Sequence, residues 1–182
     1  MIWGLLYALL LAALVVRVRT SDAPPPEPIW PQANEPLWLT RVHHWLFALL
    51  LLGSPLERLV VSGASTWRPA GACAFALGVL LYRLAGQALG DALSPFTEPR
   101  DAAPLVTEGL YHYVRHPMYV SQALIAVGAP LTLGCRYVTL LAVPALAVLL
   151  LRILREEDAL ARTFPEYSRY AARTKRILPF LY

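Results

Sequence analysis

The segment GLYHYVRHPMY, residues 109–119, concentrates side chains that could bind an anion and a flat ring. Pro117 suits the first turn of a helix, where its missing N–H costs nothing. The N–H groups of Met118 and Tyr119 are then expected to be unsatisfied at the positive end of that helix, beside Arg115. Such an end attracts a carboxylate or a phosphate. Tyrosine rings that could stack on a base or contact a cation surround it: Tyr111, Tyr113 and Tyr119.

A second cluster, RILREED at residues 152–158, follows an apolar run. Arg152 and Glu156 are four residues apart and share a helix face, although arginine before glutamate is the weaker order for an ion pair. The carboxylate could hold an ammonium group, and the arginine could hold an anionic substrate group or polarise a nucleophile. Both clusters also have a structural explanation. The first could be an interfacial belt of Tyr and Arg, and the second could be a charge run that ends a membrane helix.

The remaining reactive residues form no recognised motif. His43 and His44 are adjacent rather than four apart, and Cys73 and Cys135 are isolated among apolar residues, so we predict neither a metal site nor a disulfide. The sequence contains no P-loop, GxGxxG, GxSxG or HExxH. The sequence therefore lacks the usual signatures of hydrolases and nucleotide-driven pumps.

Composition indicates a membrane protein. Of the 182 residues, 57% are hydrophobic and 15% are charged, whereas a soluble domain has about a quarter of its residues charged. The mean hydropathy is +0.49, and the length allows about five or six spans at roughly 30 residues for each span and its connection. A net charge of +4 could indicate nucleic acid, but in a membrane protein the placement of basic residues matters more, so no nucleic-acid partner is predicted.

Five apolar runs predict five membrane helices in one all-α membrane domain, residues 1–182. The runs cover residues 2–16, 37–52, 69–89, 117–133 and 137–154. Gly53-Ser54-Pro55 is expected to end the second helix, and Gly134 is expected to turn the fourth helix into a hairpin with the fifth. In the third helix, small residues allow close helix packing: Gly71, Ala74 and Gly78.

The connections differ in character. Residues 21–36 are proline-rich and predict an extended linker within the N-terminal part, residues 1–89. Residues 91–114 form a polar connection long enough to suggest function. From Arg155 the chain becomes charged, and we predict an amphipathic helix lying at the interface. Side chains on or near one face of that helix are Leu160, Phe164, Tyr167, Tyr170 and Ile177.

The distribution of basic residues predicts the orientation. Because Arg17 and Arg19 follow the first apolar run, we expect a retained helix rather than a signal peptide. With five spans and a cytoplasmic C-terminus, 16 Lys and Arg residues divide strongly in favour of the inside. The residues left outside are Arg58, Arg68 and Arg136. We therefore expect an outside N-terminus, and the Ala-, Leu- and Arg-rich usage suggests a bacterial inner membrane.

The second half of the chain resembles a known family. LVTEGLYHYVRHPMY (residues 105–119), an apolar hairpin, REED (155–158) and FPEYSRYAARTKRILP (164–179) resemble the isoprenylcysteine carboxyl methyltransferase and phospholipid methyltransferase superfamily of integral membrane enzymes. The similarity covers residues 89–182. It implies a methyltransferase core at residues 90–182 that uses S-adenosylmethionine, releases S-adenosylhomocysteine and binds both on the cytosolic side.

The resemblance also implies roles for individual residues. Glu156 resembles the acidic cofactor ligand and Arg152 the substrate-facing arginine, so both are taken as catalytic. Because the spacing from Phe164 to Tyr167 is one residue shorter than in the carboxyl methyltransferases, the acidic ligand could be Glu157 instead. The residues that resemble the cofactor-contacting loop are Ala103, Pro104, Leu105, Val106, Tyr111, His116, Pro117, Met118 and Tyr119.

The expected acceptor is an amphiphilic or small molecule, such as an isoprenylcysteine carboxylate, a lipid amine or a thiol. It is expected to enter sideways from the bilayer, so membrane lipids are expected partners. Two other functions stay open from the sequence. One is an NAD(P)H-dependent membrane reductase of the steroid 5α-reductase type, and the other is a non-catalytic helical membrane protein.

Overall fold

The computed structural model describes residues 2–15, 36–61, 65–100 and 103–177. Its α-helices are α1 (Ile2–Val15), α2 (Leu37–Val60), α3 (Arg68–Leu89), α4 (Pro117–Leu133), α5 (Tyr137–Leu140), α6 (Ala142–Thr163) and α7 (Tyr167–Arg173). Two short 3₁₀ turns, Gly90–Ala92 and Gly109–His112, lie between α3 and α4. No β-strand occurs in these ranges, so the prediction of an all-helical fold is confirmed. The predicted linker at residues 21–36 lies outside the described residues except for Pro36.

Two segments are long and apolar enough to cross a membrane, Arg68–Ala92 and Tyr137–Thr163. The helices Ile2–Val15 and Pro117–Leu133 are apolar but shorter. The number of five spans therefore stays a prediction. The 22 residues of α3 extend for about 33 Å at 1.5 Å per residue, which matches a hydrocarbon core of roughly 30 Å.

Helices α3 and α4 pack antiparallel at very short range because glycines line their contact. A Cβ placed on Gly71 would lie 2.6 Å from the backbone N of Thr132, and one on Gly78 would lie 2.8 Å from Cγ1 of Ile125. On the opposite helix, a Cβ on Gly128 would lie 2.8 Å from the carbonyl O of Gly71. Small residues that let backbones approach are the usual means of tight packing in membranes.

Gly128→Ala should therefore destabilise the protein, because the added methyl group meets backbone rather than a movable side chain. We expect a loss of about 1–3 kcal/mol, seen as a fall of several degrees in the thermal unfolding midpoint in detergent. Gly4→Ala is the matched control, because a Cβ on Gly4 has no neighbour within 4 Å among the described residues. Equal midpoints for the two variants would contradict this packing.

The prediction that α2 ends at Gly53-Ser54-Pro55 is wrong, because the helix continues to Val60. Pro55 has no N–H to donate to the carbonyl of Leu51, one turn earlier. The hydroxyl of Tyr7 in α1 donates to that carbonyl at 2.6 Å and replaces the missing bond. A contact from another helix thus satisfies the backbone group that proline leaves free.

The extra turns of α2 also support the start of α5. The carboxylate of Glu57 accepts hydrogen bonds from the backbone N–H groups of Arg136 (2.7 Å), Tyr137 (3.2 Å) and Val138 (2.7 Å). A negative charge at a helix start is favourable because the first N–H groups lack partners within the helix. Just before it, Gly134 adopts φ 75° and reverses the chain after α4.

The predicted fifth helix is interrupted at Leu141 and then runs beyond residue 154, to Thr163. The amphipathic segment therefore does not begin as a separate helix at Arg155, because residues 155–163 are the last turns of α6. The helix ends at Phe164, which is extended (φ −115°, ψ 108°). Pro165 explains this end, since the residue before a proline disfavours helical backbone.

The described helices α1, α2, α3, α4 and α6 meet at one end of the bundle, which we call the polar end. There Arg83 of α3 donates to the carbonyl of Ala13 near the end of α1. Arg152 of α6 donates to the hydroxyl of Thr40 near the start of α2, at 2.8 Å. Helix α4 also begins at this end, at Pro117.

The outer surface between the two ends is apolar. On α2, for example, Leu56 is 62% exposed. Exposed aromatic residues lie in two groups, with Trp38 and Trp45 toward the polar end and Trp67 and Tyr137 at the opposite end. Aromatic side chains at both ends of an apolar band are typical of proteins that span a bilayer.

Candidate functional site

A cavity of about 1330 Å³ opens at the polar end, among α1 to α4, α6, α7 and the connection from α3 to α4. Pockets for one small ligand usually have volumes of about 300–1,000 Å³, so this cavity has room for two molecules side by side. Among the predicted site residues, Pro117 and Glu157 do not line it. Those that line it are Ala103, Pro104, Leu105, Val106, Tyr111, His116, Met118, Tyr119, Arg152 and Glu156.

The beginning of α4 is held by the residues after α7. The backbone N–H groups of Arg115 and His116 donate to the carbonyls of Lys175 (2.8 Å) and Arg176 (3.2 Å). The N–H of Tyr119 is not free as expected, because it donates to the carbonyl of His116 at 3.1 Å. Hydrogen bonds to the residue three positions earlier tighten the first turn of many helices. Met118 therefore carries the first N–H of α4, since a proline precedes it.

Glu157 lies behind the cavity and contacts two arginines and a histidine. Its Oε1 is 2.9 Å from Nε of Arg115 and 3.3 Å from Nε2 of His116. Its Oε2 is 2.6 Å from a terminal nitrogen of Arg176. The Glu157 side chain is 13% exposed, so its ion pairs with the two arginines are largely shielded from water. This carboxylate holds α6, the start of α4 and the C-terminal segment together.

Glu156 faces the cavity instead. The hydroxyl of Tyr119 donates to its Oε2 at 2.6 Å, and Nδ1 of His116 lies 3.9 Å from its Oε1. The Glu156 side chain is 29% exposed. Its carboxylate is therefore oriented by α4 and accessible to a ligand, which is the arrangement needed to bind an ammonium group.

Arg152 lines the cavity one turn before Glu156 and is 4% exposed. Its terminal nitrogens donate to Oγ1 of Thr40 at 2.8 Å and to the carbonyl of Pro95 at 2.7 Å. Its Nε has no hydrogen-bond partner in the described part of the chain, and no described carboxylate forms an ion pair with it. A buried cation without a counter-charge is costly, so this site favours an anionic ligand group.

Aromatic side chains close the other side of the cavity. The hydroxyl of Tyr170 donates to the backbone carbonyl of Tyr111 at 2.7 Å, which joins α7 to the turn before α4. Burial, with a smaller effect of the Glu156 charge, raises the pKa of Tyr111 above its usual range. Burial also raises the pKa of Tyr170 to about 12. Both rings are therefore neutral across the physiological range and can act as packing surfaces and hydrogen-bond donors.

The separate positions of the two glutamates predict separate effects of mutation. Glu157→Gln should lower stability by about 2–3 kcal/mol, because it removes the negative partner that Arg115 and Arg176 share and that His116 contacts. Thermal unfolding in detergent measures this loss. Arg162→Gln is the control, because its ion pair with Glu98 (3.0 Å) involves an arginine side chain that is 59% exposed and should contribute less than about 1 kcal/mol. A Glu157→Gln variant as stable as the control would contradict the anchoring role.

The sequence did not identify several residues that line the cavity. His43 and Phe47 on α2 and Gln122 on α4 are among them. The spacing of Thr40, His43 and Phe47 places them on one helix face, but the sequence alone does not show that this face is directed toward α6. The amphipathic face of the C-terminal segment was a usable signal, since four of its members line the cavity: Leu160, Phe164, Tyr167 and Tyr170.

Comparison with known proteins gives one family and two relatives. The model of the phospholipid methyltransferase family matches residues 67–167, more than half of the chain. The chain is similar to the nickel-cobalt-cadmium resistance protein NccN of Alcaligenes xylosoxydans xylosoxydans, with 41% identity over 85 residues, 45% of this chain and 39% of that protein. It is also similar to the cobalt-zinc-cadmium resistance protein CzcN of Cupriavidus metallidurans, with 38% identity over 78 residues, 42% of this chain and 36% of that protein. Each match therefore spans well under half of the relative's length.

Proposed function

The chain belongs to the phospholipid methyltransferase family, and on that premise we propose that it transfers a methyl group from S-adenosylmethionine to an amphiphilic acceptor. The observation that carries the proposal is the presence, in one cavity, of an accessible carboxylate and a buried cation that forms no ion pair among the described residues. Glu156 supplies the first and Arg152 the second, one helical turn apart.

The residues of the cavity suit S-adenosylmethionine. Glu156 would bind its ammonium group, and the first turn of α4 at Met118 would attract its carboxylate through the positive end of the helix. The connection at residues 103–106 and the buried ring of Tyr111 would cover the adenosine part. Glu157 lies behind the cavity and is occupied by Arg115, His116 and Arg176, which favours Glu156 as the acidic ligand.

When bound, S-adenosylmethionine supplies an electrophilic methyl group. The protein's own contribution is then chiefly to align an acceptor atom with that methyl group at about 3 Å and to exclude competing water. Arg152 would attract an anionic acceptor through its charge, because it forms no ion pair with a described carboxylate and its terminal nitrogens are fixed by Thr40 and Pro95. Such fixing lowers the entropy cost of orienting the acceptor.

The apolar lining of the cavity favours an amphiphilic acceptor. Apolar and aromatic side chains from four helices contribute to it: Leu14, Val15, Phe47, Tyr82 and Ile125. An acceptor with a polar end at Arg152 would bury its apolar part there and gain about 0.8 kcal/mol per buried CH₂ group. We propose entry from the bilayer, with the polar end of the bundle on the cytoplasmic side of a bacterial inner membrane and the N-terminus outside.

The proposal is tested with S-adenosylmethionine carrying a labelled methyl group. Purified protein in lipid nanodiscs is incubated with it and with an extract of bacterial lipids, and label is counted in the organic phase. We expect label in that phase with wild-type protein and none with heat-inactivated protein. Consumption of NADPH by the same preparation, without methyl transfer, would support a membrane reductase instead and overturn the proposal.

A further inference from the structure

One outer face of α2 carries a cation among aromatic and apolar side chains. Trp38, Arg41 and Trp45 follow one another at intervals of three and four residues, so they lie on the same face of the helix. The two tryptophans are 60% and 70% exposed, and Arg41 is exposed between them. The exposed side chains of Leu52 and Leu56 continue this face toward the other end of α2. We call these five residues the outer face of α2.

Arg41 has no acidic partner in the part of the chain that the structure describes. The ion pairs found there include Arg162 with Glu98 and Arg176 with Glu157, but none of them involves Arg41. In a membrane protein, an exposed apolar helix face contacts lipid. A cation on such a face needs a negative group from the bilayer itself, because it is otherwise compensated only by water at the interface.

The position of Arg41 along α2 fits the headgroup region of a bilayer. Tryptophan side chains concentrate at the interface between membrane and water, and Arg41 lies between two of them. The helix rises about 26 Å from Arg41 to Arg58 at 1.5 Å per residue, which is close to the thickness of a hydrocarbon core. Long arginine side chains extend toward the nearer interface, so Arg41 reaches the phosphate groups on the side of the polar end.

The groups on this face fit a phospholipid whose headgroup carries no cation. A guanidinium group binds a phosphate through two parallel hydrogen bonds, and indole N–H groups can donate to neighbouring headgroup oxygens. Phosphatidylcholine and phosphatidylethanolamine bring their own cation close to Arg41, which repels it. Phosphatidylglycerol brings none. Charge therefore favours an anionic phospholipid.

We propose that the outer face of α2 binds an anionic phospholipid of the surrounding bilayer, with its phosphate at Arg41 and an acyl chain along Leu52 and Leu56. This lipid is distinct from a methyl acceptor, because none of the five residues lines the cavity. Thr40, next to Arg41, accepts the hydrogen bond from Arg152, so a lipid held at Arg41 also steadies the start of α2 beside the cavity. The inference does not depend on the proposed function.

Quenching of tryptophan fluorescence by brominated lipids tests the site directly. With Trp3→Phe, Trp30→Phe and Trp67→Phe, only Trp38 and Trp45 remain to fluoresce. This parent protein is reconstituted in phosphatidylcholine vesicles with a rising share of acyl-brominated phosphatidylglycerol, and the mixture with the bromine on phosphatidylcholine is measured alongside. One arginine at a lipid surface corresponds to about a fivefold preference for the anionic lipid. We therefore expect phosphatidylglycerol to bind at these tryptophans about five times more strongly than phosphatidylcholine.

Variants of the parent protein separate this site from general surface charge. Arg41→Gln should abolish the preference, and Arg41→Lys, which keeps the charge, should retain most of it. The matched control is Arg155→Gln, because Arg155 is exposed at the same end of the bundle and its loss removes the same charge. We expect this control to keep the full preference. Equal binding of the two lipids by the parent protein, or equal losses in Arg41→Gln and Arg155→Gln, would overturn the inference.

Thermal unfolding provides an independent measurement on the wild-type chain. Midpoints are compared between nanodiscs of phosphatidylcholine and nanodiscs of phosphatidylglycerol. Because a ligand that binds the folded state stabilises it, we expect the rise on going to phosphatidylglycerol to be about 2–4 °C larger for the wild type than for Arg41→Gln. Arg155→Gln should rise as much as the wild type. An equal rise in wild type and Arg41→Gln would show that no lipid is held at Arg41 and would overturn the proposal.

Discussion

Glu156→Gln is expected to weaken binding of S-adenosylmethionine by about 100-fold, or about 2.7 kcal/mol. The change keeps the size of the side chain and its contact with Tyr119 but removes the negative charge that would face the ammonium group. Charge-assisted hydrogen bonds in shielded sites contribute about 1.5–3 kcal/mol, so the upper part of that range is expected here. Titration calorimetry in detergent measures the change directly.

The matched control is Asp158→Asn, two residues further along α6. Asp158 is exposed and does not line the cavity, so its neutralisation should leave cofactor affinity within about twofold, since screened surface charges contribute little. If Glu156→Gln binds as tightly as Asp158→Asn, while Glu157→Gln loses affinity without losing stability, the acidic ligand is Glu157 and our assignment is wrong.

Arg152→Met is expected to lower the turnover number for methyl transfer by about 100-fold or more, with cofactor affinity changed by less than about threefold. Methionine fills much of the space of the arginine stem but removes the positive charge that would hold the acceptor. An interaction that orients the reacting atom acts on the turnover number, whereas the proposed cofactor contacts lie at Glu156 and α4.

Arg155→Met provides the comparison, because Arg155 lies on the same helix and is exposed. Single-turnover rates and the Michaelis constant for the acceptor should be those of the wild type in this control. Because Arg152 also bonds Thr40 and Pro95, unfolding midpoints must be measured alongside. An Arg152→Met variant that methylates its acceptor at full rate would exclude Arg152 from acceptor binding.

The parts of the fold that were predicted correctly have local causes. Pro117 and Gly134 mark the two ends of α4 by backbone geometry that depends on single residues, so its bounds could be read from the sequence. Small residues at helical spacing in α3 predicted a close helix contact, although the sequence did not identify α4 as the partner. In both cases the residue type itself carries the structural requirement.

The parts that were missed depend on contacts between distant segments. Nothing near Pro55 shows that Tyr7 will bind the carbonyl of Leu51 and let α2 continue. Likewise, Glu156 and Glu157 are adjacent in the chain and chemically identical. Only the contacts made around Glu157 by residues 115, 116 and 176 separate an anchoring carboxylate from one that faces the cavity.

Cofactor identity tests the central claim most directly. Wild-type protein in detergent with added lipid is titrated in a calorimeter with S-adenosylhomocysteine and, separately, with NADPH. We predict saturable micromolar binding of S-adenosylhomocysteine, no heat from NADPH, and loss of the signal in Glu156→Gln. Saturable binding of NADPH by folded protein that does not bind S-adenosylhomocysteine would contradict it and identify the cavity as a dinucleotide site.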